Sequence, residues 1–170
     1  TISSGSRAAA AGGVTTVLAM ANTEPVADTP SQLAFLRAKA KADAVITVLF
    51  TGAVTMGQKG ARLTEFTRLK DAGASALSDD GRPLMDSGLL RRALEHASDV
   101  GLLVIDHCED LALSAGGCIN EGAPGLRKGL KGIPGAAETV QVVRDIELVR
   151  LTGARLHLAH LSAAASVAAV

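Results

Sequence analysis

A parallel α/β fold is predicted by three observations. Five short apolar or β-branched runs, residues 14–20, 45–50, 75–78, 102–105 and 156–161, alternate with segments of helical period. The first three recur at about 30 residues, the length of a βαβ unit. The runs are nearly continuous in apolar residues, as strands covered on both faces require.

The intervening elements follow in order. Thr29-Pro30 opens the first long helix, with Thr29 as N-cap and Pro30 in the first helical position. After the second strand a helix is expected from near Ala61 to Asp71, with Gly73 as its stop. After the third, Leu89, Leu90, Ala93, Leu94 and Ala97 fall on one face at 3.6 residues per turn. Residues 109–134 interrupt the alternation: they hold Gly116, Gly117, Gly122, Gly125, Gly129, Gly132, Pro124 and Pro134 and show weak periodicity. Such a stretch in a compact α/β domain is an active-site loop or lid, or else a tolerated insertion. The clearest helix runs from Gly135 or Ala136 to Thr152, with Val140, Val143 and Ile146 on a common stripe and Gly153 as its end. A last helical run covers residues 163–170.

Composition narrows the function classes. The 170 residues carry 17 basic and 17 acidic side chains and are 48% hydrophobic, with no Trp or Tyr, three Phe and two Cys. That is enough apolar material for one cored domain. A net charge of zero argues against a nucleic-acid partner, which needs a basic patch to neutralise phosphates. No uncharged run is long enough to span a membrane, and the N-terminus lacks a signal layout. Cys108 and Cys118 do not make a disulfide framework, and a cytoplasmic location is expected. The first residue is Thr and the final helical run has no cap, so an internal portion of a longer protein is expected.

In parallel α/β folds ligands bind beyond the carboxyl ends of the strands. The polar residues at those ends are Asn22 and Thr23, Asp79 and Asp80, His107, and His160 with Ser162. Taken singly, Asp80-Gly81 could be a turn, Asn22 a kink before Pro25, and each His a satisfied core residue. Together they place imidazoles and a carboxylate at one rim, the ligand set of a divalent metal such as zinc. His157 and His160 have opposite parity, so in a regular strand one of them is left to packing or support. His96 reads as a solvated helix residue and Cys108 as a buried, inert thiol. No Gly-x-Gly-x-x-Gly follows a strand and no Gly-x-Ser-x-Gly elbow occurs, which leaves metal-assisted hydrolysis.

The motifs Ser4-Gly5-Ser6-Arg7, Met20-Ala21-Asn22-Thr23-Glu24-Pro25, Ser78-Asp79-Asp80-Gly81, Asp106-His107-Cys108-Glu109-Asp110, Gly132-Ile133-Pro134 with Glu138, and His157-Leu158-Ala159-His160-Leu161-Ser162 resemble the type I dihydroorotases of the amidohydrolase superfamily. The resemblance runs over essentially the whole chain. It implies a (β/α)8 TIM barrel of which residues 1–170 are the central portion, about strands two to six, truncated at both ends. It further implies Asp80, His107 and His160 as metal ligands from strands four, five and six, with Asn22 on the substrate carboxylate. Asp79 and His157 become neighbours of the site. Zinc is the implied cofactor, one or two ions at full length. The implied reaction interconverts N-carbamoyl-L-aspartate and L-dihydroorotate in pyrimidine synthesis.

Hydantoinases and many allantoinases share the scaffold but carry a carboxylated Lys where this chain has Asp80, so Asp80 favours dihydroorotase. Ala21 stands where many members have Pro. The family's strand-one His-x-His is expected before Thr1 and its strand-eight catalytic Asp beyond Val170, so no catalytic residue is assigned within the chain, which is expected to be inactive alone. Beyond a small-molecule substrate, the resemblance implies a homo-oligomer at full length and assembly with aspartate carbamoyltransferase. The alternative to an enzyme is a catalytically silent scaffold that binds that transferase.

Overall fold

The computed structural model describes all residues 1–170. In chain order the elements are α1 (Ile2–Ala11), β1 (Thr16–Ala19), α2 (Pro30–Asp43), β2 (Thr47–Gly52), α3 (Phe66–Asp71), β3 (Ala76–Ser78), α4 (Ser87–Val100) and β4 (Val104–Asp106). They continue with α5 (Leu111–Ser114), β5 (Ile119–Asn120), α6 (Ala123–Arg127), β6 (Gly132–Ile133), α7 (Ala136–Thr152), β7 (Leu156–Leu158) and α8 (Ala164–Ala169). The predicted strands form one five-stranded sheet in the order β1-β2-β3-β4-β7. Every pairing in it is parallel. With helices between successive strands the sheet is parallel α/β, as the alternation predicts, and a partial TIM barrel, as the resemblance implies. No helix is long and apolar enough to cross a membrane.

Strand alternation sorts the side chains onto two faces. Leu77 and Val104 point outward into the main apolar core, where Leu33, Phe66, Leu69, Leu90 and Leu94 of the helices cover them. Ala76, Ile105 and Ala159 point the other way and form a small second cluster with Leu18, Met20 and Leu103. The helix ends follow their sequence signals. Thr29 accepts from the Gln32 N–H at the start of α2, and Asp86 accepts from the Leu89 N–H at 3.0 Å to open α4. α4 stops where Gly101 turns left-handed at φ +70°, and all five of its predicted core residues are buried.

Four expectations are corrected. The helix after β2 begins at Phe66, not near Ala61, because residues 53–65 are held as a loop. A 3₁₀ turn at Met56–Gln58, a Thr55–Leu63 bridge and a 2.7 Å bond from Thr64 Oγ1 to the Ala53 carbonyl hold it there. In α7 the stripe of Val140, Val143 and Ile146 is not the buried face; Val140 and Val143 are exposed, while Ala137, Gln141, Val142 and Asp145 are buried. The cause is Arg144, whose guanidinium pairs with buried Asp145 at 2.6 Å and donates to the Leu84 carbonyl. Residues 109–134 are not irregular throughout: α5, β5, α6 and β6 fold there, with β5 and β6 as a separate parallel pair. His96 is half-buried, its ring stacked on Phe66 with centroids 4.8 Å apart.

Two outcomes follow. Leu90→Ala removes a fully buried side chain between helix and sheet and should cost about 2–5 kcal/mol, read from urea unfolding. The outer edges of β1 and β7 are unpaired within the chain, so the isolated chain should self-associate. Sedimentation velocity across a concentration series checks this, and a sample that stays monomeric throughout contradicts it.

Candidate metal centre

The ends of β3, β4 and β7 deliver three side chains to one point. Asp80 lies two residues beyond β3, its backbone N–H bonded to Ser78 Oγ at 3.0 Å. Its neighbour Asp79 is consumed elsewhere: the buried carboxylate accepts from the Val54 N–H at 2.8 Å, from the Thr55 N–H and from Thr55 Oγ1. Burial raises the Asp79 pKa despite these bonds. Asp79 thereby ties the β2 loop to the β3 loop and leaves Asp80 to face the rim. This is the neighbouring role that the resemblance implies.

His107 follows β4 directly. Its Nε2 lies 2.8 Å from Glu109 Oε2, while Nδ1 lies 2.9 Å from His160 Nε2 and 3.5 Å from Asp80 Oδ1. The hydrogen bonds to Ser114 and His107 hold the Glu109 carboxyl below the ordinary glutamate range. His160 sits beyond the end of β7, with Nε2 3.2 Å from Asp80 Oδ1. Parity alone keeps His157 and His160 apart, and the structure shows how His160 escapes it. His157 pairs in register with Ile105 and so shares the inner face. The strand stops at Leu158, and His160 adopts φ +39°, which swings its ring to the rim.

The donor set fits a borderline divalent ion. One carboxylate oxygen and two imidazole nitrogens, 2.9, 3.2 and 3.5 Å apart, match the edges of a tetrahedral face. Bonds of about 2.0–2.1 Å to zinc give an edge of about 3.3 Å. Asn22 is exposed and is not one of the three donors, although its Nδ2 lies 4.0 Å from where a β-carbon on Gly81 would sit. It therefore shares the rim with Asp80. Beside the triad a cleft of about 690 Å³ is lined by His107, Glu109, Glu121, Glu138, His160 and Ser162, among others. The β5–β6 excursion forms one of its walls through Asn120 and Ile133.

Two acidic residues gain a place that their sequence context did not assign. Glu109 orients the His107 ring, and its position two residues after the histidine was the available signal. Glu138, in the first turn of α7, accepts from the Ser162 N–H and Oγ at 2.8 Å each and from the Ala163 N–H at 2.9 Å. Its partners lie 24 and 25 residues away, so no local pattern announces them. Burial works against its charge, but the bonds from Ser166, Ala163 and Ser162 outweigh it and hold the Glu138 carboxyl below the usual glutamate value.

A second cluster lies under the rim, where Asp106, Cys108 and Asp145 are all buried. Arg144 lies 2.6 Å from Asp145 Oδ1 and 3.5 Å from Asp106 Oδ2, and the Cys108 thiol donates to Asp145 Oδ2 at 3.5 Å. Burial and the two carboxylates push the Cys108 thiol far up, which suits an inert thiol rather than a nucleophile. With a guanidinium already among its carboxylates, this cluster is an ionic tie between β4 and α7.

A folded-state pKa below the unfolded one stabilises the fold above the unfolded value, and that stability is lost as the pH falls through the folded value. Glu138→Gln should therefore be less stable than the parent at neutral pH. The difference should close as the pH drops below the reference value of 4.5 and through the lowered folded pKa. Urea unfolding of both proteins across that range checks it, and a gap independent of pH contradicts it.

The family model described as Dihydro-orotase-like matches residues 1–166. A dihydroorotase of Pelotomaculum thermopropionicum is 52% identical over 167 residues, covering 98% of this chain and 39% of that protein. A dihydroorotase of Solibacter usitatus is 49% identical over 170 residues, covering 100% of this chain and 40% of the relative. The chain thus spans 39–40% of the length of these relatives. Among solved structures, a D-hydantoinase from Thermus sp. superposes with a TM-score of 0.73 at 23% identity, over 99% of this chain and 38% of that one. An L-hydantoinase from Arthrobacter aurescens gives 0.69 at 20% identity, over 92% and 36%. These two likenesses show that the chain shares the barrel fold of those proteins.

Proposed function

The chain belongs to the dihydro-orotase-like family, and from that premise we propose that it supplies part of the active site of a zinc-dependent dihydroorotase. The proposed reaction is the interconversion of N-carbamoyl-L-aspartate and L-dihydroorotate, a step of pyrimidine synthesis. The single observation that carries this reading is the meeting of Asp80, His107 and His160 within 3.5 Å of one another at the rim of the sheet. A silent scaffold has no need to keep all three donors in that geometry.

In the hydrolytic direction water adds to the ring amide carbonyl carbon, the carbon–nitrogen bond breaks, and the departing nitrogen takes a proton. Asp80, His107 and His160 would hold the zinc ion, whose positive charge would polarise the carbonyl and acidify water. Asp80 would contribute the anionic ligand directly from the β3 loop. Glu109 accepts from His107 Nε2 and so keeps the Nδ1 lone pair turned to the centre. Asn22, on the same rim, offers its amide N–H to the substrate carboxylate. The chain spans 39–40% of the length of its relatives, and the family's proton-transferring Asp and His-x-His are expected outside it, so the chain on its own should not turn over.

The experiment is a chimera in which this chain replaces the matching segment of the Pelotomaculum thermopropionicum dihydroorotase. The chimera should bind zinc and hydrolyse dihydroorotate, and Asp80→Ala should lose most bound metal and at least a hundredfold in rate, more than the roughly 10–100-fold of an outer-sphere change. The isolated chain with added zinc should show no hydrolysis. A folded chimera whose metal content is indifferent to Asp80→Ala overturns the reading.

A further inference from the structure

The two histidines of the centre are held by different means. The His107 ring is fixed through its own Nε2 by Glu109. The His160 ring meets Asp80 and His107 through Nε2, and its Nδ1 has no protein partner. The side chain is 55% exposed against 21% for His107, so packing does not hold it. Its orientation is set by the backbone, in a left-handed conformation that a non-glycine residue keeps only where its surroundings impose it.

Two attachments impose it. On the near side, the Ala159 N–H donates to the Asp106 carbonyl at 3.1 Å, continuing the β4–β7 pairing. On the far side, one carboxylate holds the loop: Glu138 takes the Ser162 N–H, the Ser162 hydroxyl and the Ala163 N–H, and a 3.0 Å bond between Thr139 Oγ1 and Ser166 Oγ lies beyond it. Glu138 is well placed to do so. It sits in the first turn of a 17-residue helix, where the positive end of the helix dipole favours a carboxylate. That helix is in turn fastened to β4 by Arg144 and Asp145.

We propose that Glu138 is a positioning residue for the metal centre. By clasping the backbone just after His160 it transmits the position of α7 to the loop and keeps the His160 Nε2 turned toward Asp80 and His107. The inference rests on the reading of that triad as a metal centre, and it adds a residue whose side-chain bonds go to the loop after His160 rather than to the triad itself.

The test uses the 170-residue chain and cobalt(II) as a spectroscopic stand-in for zinc. Glu138→Ala should raise the cobalt dissociation constant about 10–100-fold and weaken the tetrahedral d–d absorption. Glu138→Gln, which keeps an acceptor oxygen for Ser162, should recover part of both. If both variants bind cobalt with the parent's affinity and spectrum, Glu138 is a structural staple only and the proposal is overturned, whatever happens to their melting temperatures. Should Glu138→Ala not fold, Ser162→Ala and Glu138→Gln carry the test, each with a several-fold rise expected and no change overturning it. Asp80→Ala run alongside separates the two claims. Unchanged binding there sinks the metal-centre reading itself, whereas lost binding there beside normal binding in the Glu138 variants sinks only the role of Glu138.

Discussion

A carboxylate and two imidazoles meet at one rim because parallel strands all end on the same side. Asp80 and His160 are 80 residues apart in sequence, yet their donor atoms lie 3.2 Å apart. Neither a helix nor a hairpin brings such distant residues together with a fixed direction. Adjacent parallel strands do, since β3, β4 and β7 run side by side in register and each passes its last side chains to the same edge. The outward helices, the apolar core and the buried ion pairs all serve to hold that strand alignment.

Much of this architecture is written in the chain. The five strands fall in runs dominated by apolar and β-branched residues, and α4 announces itself through its five apolar positions at helical spacing. Residues at strand ends need no knowledge of side-chain packing, so Asp80, His107 and His160 stand among the polar candidates there, and the resemblance is what selects these three. α7 was legible in extent but not in orientation. Its inward face carries Asp145, which turns inward because Arg144 of the same helix neutralises it, and Gln141, whose Nε2 meets Met85 Sδ at 3.9 Å. Glu138 was hidden for the same reason: its partners are backbone groups in a loop two dozen residues on. Parity correctly described the strand bearing His157 but not the chain after it, where a left-handed residue resets the direction.

Buried charge is concentrated on one side of the sheet. Asp106 faces α7 while the next residue, His107, faces the rim, so a single strand end places one side chain in the ionic tie and the next in the candidate site. The tie costs desolvation, which burial and the neighbouring carboxylate express by raising the Asp106 pKa well above its ordinary range. Replacing one partner would leave a charge stranded in the interior, a costlier event than never having placed the pair there.

The attachment of α7 at both Glu138 and Asp145 makes that helix a ruler. The two residues are two turns apart, about 10 Å along the axis, and lie on nearly the same side. Adding or deleting one residue between them would rotate one attachment by about 100° relative to the other, so both could not be kept. Related sequences are therefore free to vary in length through the excursion at residues 109–134, but an indel inside this stretch of helix would uncouple the sheet from the loop it steadies.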